Sequence, residues 1–336
     1  MSWDSILGHE FAKRYLRHQI DTGRLAQGVL LVGPEGIGKR RLALEVAKTL
    51  NCTAASGRPC DACRTCSQIA RGIHPDVHQL APGGASVQIK IDGIRQVLGR
   101  IALRPFNAAV QVVILDGAER LTEEAANALL KALEEPSAST RFVLTTAQLP
   151  DCLPTIVSRC QVIRCPKLPA EAIVTWLVQE DVCDAATAKT VAALADGSLA
   201  RARTLADDWE AHQQLLARLG RTESTVWVEQ PMPQTREEVA DLLDLMVLWL
   251  RGVAVTAATG HHAATDRMQA DAIVRQASRV DADRCVETAL ALLSLRESLE
   301  QYASPRLVAA VARERWLTLQ QPSVHSPPST VHRGTA

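Results

Sequence analysis

The chain has 336 residues, 47% of them apolar and 22% charged, which is the composition of an ordinary globular protein of two or three domains and excludes wholesale disorder. Lys plus Arg and Asp plus Glu each number 37, which excludes a polybasic protein that coats nucleic acid by net charge. Aromatic residues make up 3%, too few for a base-stacking platform.

The N-terminal stretch MSWDSILGHEFAKRYL carries acids and lacks the apolar segment of a secretory signal. No uninterrupted run of 18 apolar residues marks a membrane span. The expectation is a cytoplasmic protein, with no membrane partner, whose nine cysteines are metal ligands or buried thiols rather than disulfides. Through residue 167, β-like and helical patterns alternate. Residues 28–32 form a short apolar run entering a Gly-rich turn, and residues 41–50 place Leu42, Val46 and Leu50 at helical spacing. Strands are predicted near 76–80, 110–115, 141–145 and 162–164. Helices are predicted over 91–103 and from 122 to about 135, the second with Thr122 as N-cap, Glu123 and Glu124 in its first turn, and Pro136 as its stop. Strands separated by helices predict a parallel sheet with helices on both faces, and ligands in such folds bind at the carboxyl ends of the strands. Beyond residue 168 the pattern is helical, with a break at Gly197-Ser198, long repeats over 239–255 and 289–299, and a last helix starting near Pro305. The predicted organisation is an α/β domain over 1–167, helical segments over 168–207 and 208–320, and a disordered Pro/Ser-rich tail over 321–336.

Gly33-Pro34-Glu35-Gly36-Ile37-Gly38-Lys39-Arg40 fits G-x-x-x-x-G-K without the final Ser or Thr. Gly33, Gly36 and Gly38 suit a loop whose backbone N–H groups wrap phosphates, and Lys39 suits the outer phosphates. The absent hydroxyl is the one that ligates Mg²⁺, and arginine has no acceptor atom to replace it. Asp116 ends an apolar strand, the usual place of a metal-organising carboxylate, but Gly117 stands where a hydrolysing enzyme needs a glutamate. Both departures remove chemistry and keep architecture. Hydrolysis is therefore not expected, while binding of ATP or ADP through Lys39 stays open.

Cys52-x7-Cys60-x2-Cys63-x2-Cys66 places four thiols within fifteen residues. Thiolates on short turns are what tetrahedral zinc requires, so Cys52, Cys60, Cys63 and Cys66 are the expected ligands of a structural Zn²⁺. The competing metal group is an iron–sulfur cluster, whose run normally adds a fourth cysteine after three intervening residues; position 70 is alanine. His74 and His78 lie nearby but are not needed once four thiols fill the shell.

Residues 121–136, LTEEAANALLKALEEP, resemble the signature helix of bacterial clamp-loader AAA+ subunits, and Leu153–Gln161, LPTIVSRCQ, resembles their SRC motif. The four-cysteine insert after the phosphate-loop helix is also similar to that family's. The motifs together span 28–165. The resemblance implies an AAA+ domain with a zinc insert over 1–167, an all-α lid over 168–207 and an all-α collar domain over 208–320. It implies a non-hydrolysing subunit, because the hydrolysing tau/gamma type keeps Lys-Thr and Asp-Glu where this chain has Lys39-Arg40 and Asp116-Gly117. It also implies that Arg159 acts in trans as an arginine finger on ATP held by a neighbour, with Ser158 supporting its loop. The implied partners are tau/gamma and delta subunits, the sliding clamp and primed DNA. Thr145 or Thr146 falls at the sensor 1 position and Arg201 in the sensor 2 region; Arg100 and Arg104 are candidate phosphate contacts. The rival readings are an ATP-hydrolysing tau/gamma-type subunit and a stand-alone nucleic-acid-binding zinc protein.

Overall fold

The computed structural model describes residues 3–83, 88–135, 137–221, 232–260, 267–300 and 303–321. The chain divides into two compact units, Met1–Asp207 and Asp208–Ala336. Among the described residues of the first, five strands form one sheet in the order β2-β3-β4-β1-β5. They are β1 (Gly28–Val32), β2 (Val77–Leu80), β3 (Gln111–Asp116), β4 (Thr140–Thr146) and β5 (Gln161–Arg164), and every pairing is parallel. Residues 28–32 are buried throughout, as an apolar strand covered on both faces must be.

Helix α1 (Glu10–Asp21) precedes the first strand, and the helices between the strands are α2 (Lys39–Asn51), α3 (Arg64–Ala70), α4 (Ile91–Ile101), α5 (Glu123–Glu134) and the short α6 (Pro154–Val157). One core joins Leu30, Val113, Leu115, Phe142 and Leu144 of the sheet to Ile94 and Val97 of α4 and Ala126 and Leu129 of α5. The hydroxyl of Thr122 accepts from the Ala125 N–H and caps α5. That helix ends at Glu134; Pro136, its expected stop, lies outside the described residues, as does the tail beyond Gln321.

Two polar side chains tie this sheet to its surroundings. Asn51, the last residue of α2, donates to the Val110 carbonyl at 2.9 Å and accepts from the Val110 N–H at 3.0 Å. Asp76, just before β2, accepts from the N–H groups of Phe106, Asn107 and Ala108 at 2.7–2.9 Å. Burial opposes the Asp76 charge, but those three donors outweigh it and hold the carboxyl below its ordinary range. A depressed folded pKa contributes stability above the unfolded value of about 3.9, which is lost as pH falls through the folded value. Asp76→Ala is expected to cost about 3 kcal/mol at pH 7, since it strands three backbone donors from a charged acceptor. Urea unfolding at pH 7 and at pH 3 checks this, and the gap between the two proteins narrows at the lower pH.

The first unit continues with α7 (Ala170–Gln179), α8 (Ala185–Leu194) and α9 (Leu199–Asp207). The break at Gly197-Ser198 separates α8 from α9 as expected. A second break, between α7 and α8, was not expected from the sequence; there Asp184 caps α8 by accepting from Ala186 and Thr187.

The second unit is helical throughout its described residues: α10 (Trp209–Leu219), α11 (Arg236–Thr259), α12 (Arg267–Ala277), α13 (Ala282–Glu300) and α14 (Pro305–Gln320). A capping box of Thr235 and Glu238 starts α11. This helix is long and apolar enough to cross a membrane by length and composition, although no uninterrupted apolar run marks it. Its Leu242, Leu243, Met246, Leu250 and Val253 are buried inside the unit, and Trp249 donates to Gln276 of α12 at 2.6 Å. It is the core helix of the bundle.

Candidate functional site

The phosphate loop leaves the carboxyl end of β1, as the sheet rule requires. Gly36 has φ 74° and Gly38 φ 103°, conformations open to glycine at little cost. Gly33 is required for a second reason: a Cβ there would lie 1.9 Å from the Cys165 carbonyl oxygen. Two segments brace the loop from outside. His9 contacts the Ile37 carbonyl at 2.8 Å, and the Ala200 N–H of α9 donates to the Gly36 carbonyl at 3.0 Å.

A cavity of about 500 Å³ opens beside this loop, within the range of small-molecule sites. Gly36, Gly38, Lys39, Asp116, Gly117 and Thr145 line it, joined by Trp176 and Arg203 from the helical segment. Lys39 is buried and its ammonium donates to the Gly33 and Pro34 carbonyls at 2.6 and 2.7 Å. Burial lowers its pKa, against the raising influence of Glu35, Asp116 and Glu119. Thr145 donates to Asp116 at 2.5 Å and accepts from the Gly117 N–H at 3.1 Å. Thr146 instead donates to the Gln148 carbonyl. Of the two threonines, Thr145 therefore faces the acid. Arg201 is not among the lining residues; Arg203, two positions on, is. Sequence reasoning also missed Trp176, Glu35, Glu119 and Arg120, of which Arg120 and Glu35 pair at 2.6 Å. Glu35 lies within the phosphate loop itself; no local signal marks the others, because separate segments bring them to it.

Arg159 lies elsewhere. It sits on the exposed turn between α6 and β5, where its guanidinium pairs with Glu134 and donates to the Thr155 carbonyl at 3.1 Å. Ser158 also donates to that carbonyl, at 3.0 Å. The Arg159 carbonyl packs against Gly28, where a Cβ would lie 3.1 Å from it. Gly28 begins β1 and the phosphate loop follows its far end, so Arg159 lies roughly 16 Å from its own loop at 3.3 Å per residue. Cys160 also contacts the Gly28 position, and burial pushes its thiol up to about 11. Arg100 and Arg104 are exposed, at and beyond the end of α4.

The four cysteine sulfurs of residues 52, 60, 63 and 66 lie within 4.8 Å of one another. A zinc ion with Zn–S bonds of about 2.3 Å spaces its sulfurs roughly 3.8 Å apart, so the set fits after a small contraction. Backbone N–H groups already point at the sulfurs: Cys60 to Cys52, Cys63 to Cys60 and Cys66 to Cys63, at 3.3–3.4 Å. Burial opposes ionisation of Cys63, but the Cys66 and Thr53 N–H groups and the Thr53 hydroxyl outweigh it and hold the thiol at about 6. Burial pushes Cys66 the other way, well above the ordinary thiol range. Lys48 of α2 bridges Glu45 at 2.8 Å and Asp61 at 3.0 Å, anchoring the cysteine loop to the phosphate-loop helix. His74 and His78 are buried and stand outside the sulfur group; the Asp76 N–H donates to His74.

A phosphate loop after β1, an acid ending β3 and a hydroxyl ending the intervening β4 define a P-loop protein of the AAA+ class, here with a four-cysteine module that could hold a metal. The sequence profile of a family described as "DNA polymerase III, delta subunit" matches residues 8–169. DNA polymerase III subunit delta' of Escherichia coli is 30% identical over 275 residues, covering 81% of this chain and 80% of that protein. The delta' protein of Bacillus subtilis is 36% identical over 170 residues and that of Pseudomonas aeruginosa 42% over 156 residues. Those two alignments cover 50% and 46% of this chain and about half of each relative, 51% and 47%. The chain belongs to the delta' family of DNA polymerase III subunits.

Proposed function

We propose that this chain is a clamp-loader subunit of DNA replication that does not hydrolyse ATP itself and supplies Arg159 to ATP bound by a neighbouring subunit. The observation that carries this reading is the exposure of Arg159 at the end of the sheet opposite its own phosphate loop. A guanidinium suits the task because it is always charged and its planar fork matches phosphate oxygens. The loss of the loop hydroxyl at Arg40 and of a carboxylate at Gly117 supports the absence of turnover. The partners in this reading are tau/gamma and delta subunits, with the sliding clamp and primed DNA reached through the complex, in the cytoplasm.

In the same reading, residues 168–207 form the lid and 208–320 the collar. Val286, Leu290 and Leu293 support the collar assignment, since they recur along one side of α13 and are 43–59% exposed. Cys52, Cys60, Cys63 and Cys66 hold a structural zinc. ATP or ADP, where bound, rests on Gly33, Gly36, Gly38 and Lys39.

Two measurements test the proposal. Clamp loading by the reconstituted complex is expected to collapse when this subunit is omitted. The isolated chain is expected to show no Mg²⁺-dependent turnover above that of Lys39→Ala. Turnover by the isolated chain that disappears in that variant favours a tau/gamma-type motor, for which Glu119 at the cavity wall is the available carboxylate.

A further inference from the structure

We propose that the cavity binds a nucleoside di- or triphosphate without magnesium, with Arg40 supplying the positive charge that a metal brings to other phosphate loops. This rests on reading the loop as a nucleotide site.

The cavity is lined by five cationic side chains, Lys39, Arg40, Arg41, Arg120 and Arg203, against three carboxylates, Glu35, Asp116 and Glu119. The balance of two positive charges favours a polyanion. Arg40 is exposed at the start of α2, and its guanidinium donates to the neutral amide of Gln79 on β2 at 3.0 Å. That contact leaves its charge available, and exchanging one neutral acceptor for phosphate oxygens replaces a weaker bond with a charge-assisted one.

Two side-chain oxygens that position and activate magnesium chemistry in other phosphate-loop proteins are missing at the same place. Magnesium takes near-ideal octahedral coordination from oxygen ligands. The side chains at positions 40 and 117 offer none, and one of the two Asp116 carboxylate oxygens already accepts the Thr145 hydroxyl at 2.5 Å. A guanidinium beside the bound metal would repel it. Glu119 also lines the cavity, and among the described residues its buried Oε2 has no hydrogen-bond partner, so Asp116 and Glu119 are the carboxylates a magnesium ion would use.

The test is calorimetric titration of the full chain with ADP, once in EDTA and once in excess Mg²⁺ at equal ionic strength. Affinities within about threefold of each other are expected, since each tenfold step reflects a large change of interaction. Arg40→Ala is expected to weaken binding in EDTA by about 10–100-fold, the range for charge-assisted hydrogen bonds. Arg40→Lys should keep part of that affinity, and Arg40→Thr should bind better with Mg²⁺ than without. Circular dichroism melts confirm that each variant is folded. Wild-type binding that requires Mg²⁺, or an Arg40→Ala chain that keeps full affinity in EDTA, overturns the inference and leaves the nucleotide reading intact. Absence of ADP binding in both buffers overturns both.

Discussion

Replacing Arg159 with alanine is expected to slow ATP hydrolysis at the neighbouring subunit's site by about 10³–10⁵-fold, the range known for arginine fingers. The chain itself should stay folded. The Arg159 and Glu134 side chains are 35% and 47% exposed, and an ion pair of that kind contributes at most about 1 kcal/mol. The backbone beneath the side chain is held independently, by the Arg159 N–H to the Ile156 carbonyl and by close packing on Gly28. Arg159→Lys should recover only part of the rate, because it keeps the charge and loses the fork. Single-turnover hydrolysis in the reconstituted complex, with melting of the isolated variant as control, checks this. An unchanged rate in the assembled Arg159→Ala complex removes the finger from the account.

Stripping metal from the cysteine module should loosen residues 52–66 and leave the sheet standing. Without a shared cation, four sulfurs within 4.8 Å of one another lose what justifies their crowding. Structural zinc contributes about 10–16 kcal/mol to small peptides that fold around it. If about 3 kcal/mol of that reaches the first unit as a whole, its Tm falls by about 6–12 °C. Acid should do the same. Protons compete with the metal for each thiolate. Cys66, pushed up by burial, releases a proton when the metal binds, so affinity falls as pH falls. Hydrogen exchange of the 52–66 amides and thermal melting after verified metal removal are the measurements, and an unchanged melt would falsify a structural role. A colourless protein is expected; a brown one would assign the cysteines to an iron–sulfur cluster.

Much of the first unit was legible because its signals are local. A run such as VQVVIL has only one comfortable home, a strand covered on both faces, and Thr122 followed by two glutamates marks a helix start within four residues. Helix α1 and the break before Asp184 were not read. Helix α1 is charged on its outer side, with Ala12, Lys13 and Leu16 as its buried residues, too few to stand out as a periodic stripe. The break before α8 carries no glycine or proline, and Asp181 there adopts φ 53°, a conformation aspartate tolerates but does not announce.

The chemistry available at each position was settled by the order of residues alone: a phosphate loop with arginine in place of a hydroxyl, an acid without its glutamate, and four thiols on short turns. These are matters of which atoms a side chain carries and how many bonds separate them, and no folding can change them. Which groups meet was decided only by the tertiary structure. Parallel pairing of β4 with β3 brings Thr145 to Asp116, and pairing of β1 with β5 sends Arg159 to the far end of the sheet from Lys39. The helical segment delivers Trp176 and Arg203 to the cavity and leaves Arg201 out of its lining. Such encounters depend on contacts between residues tens of positions apart, which packing of the whole core selects and no short stretch of chain contains.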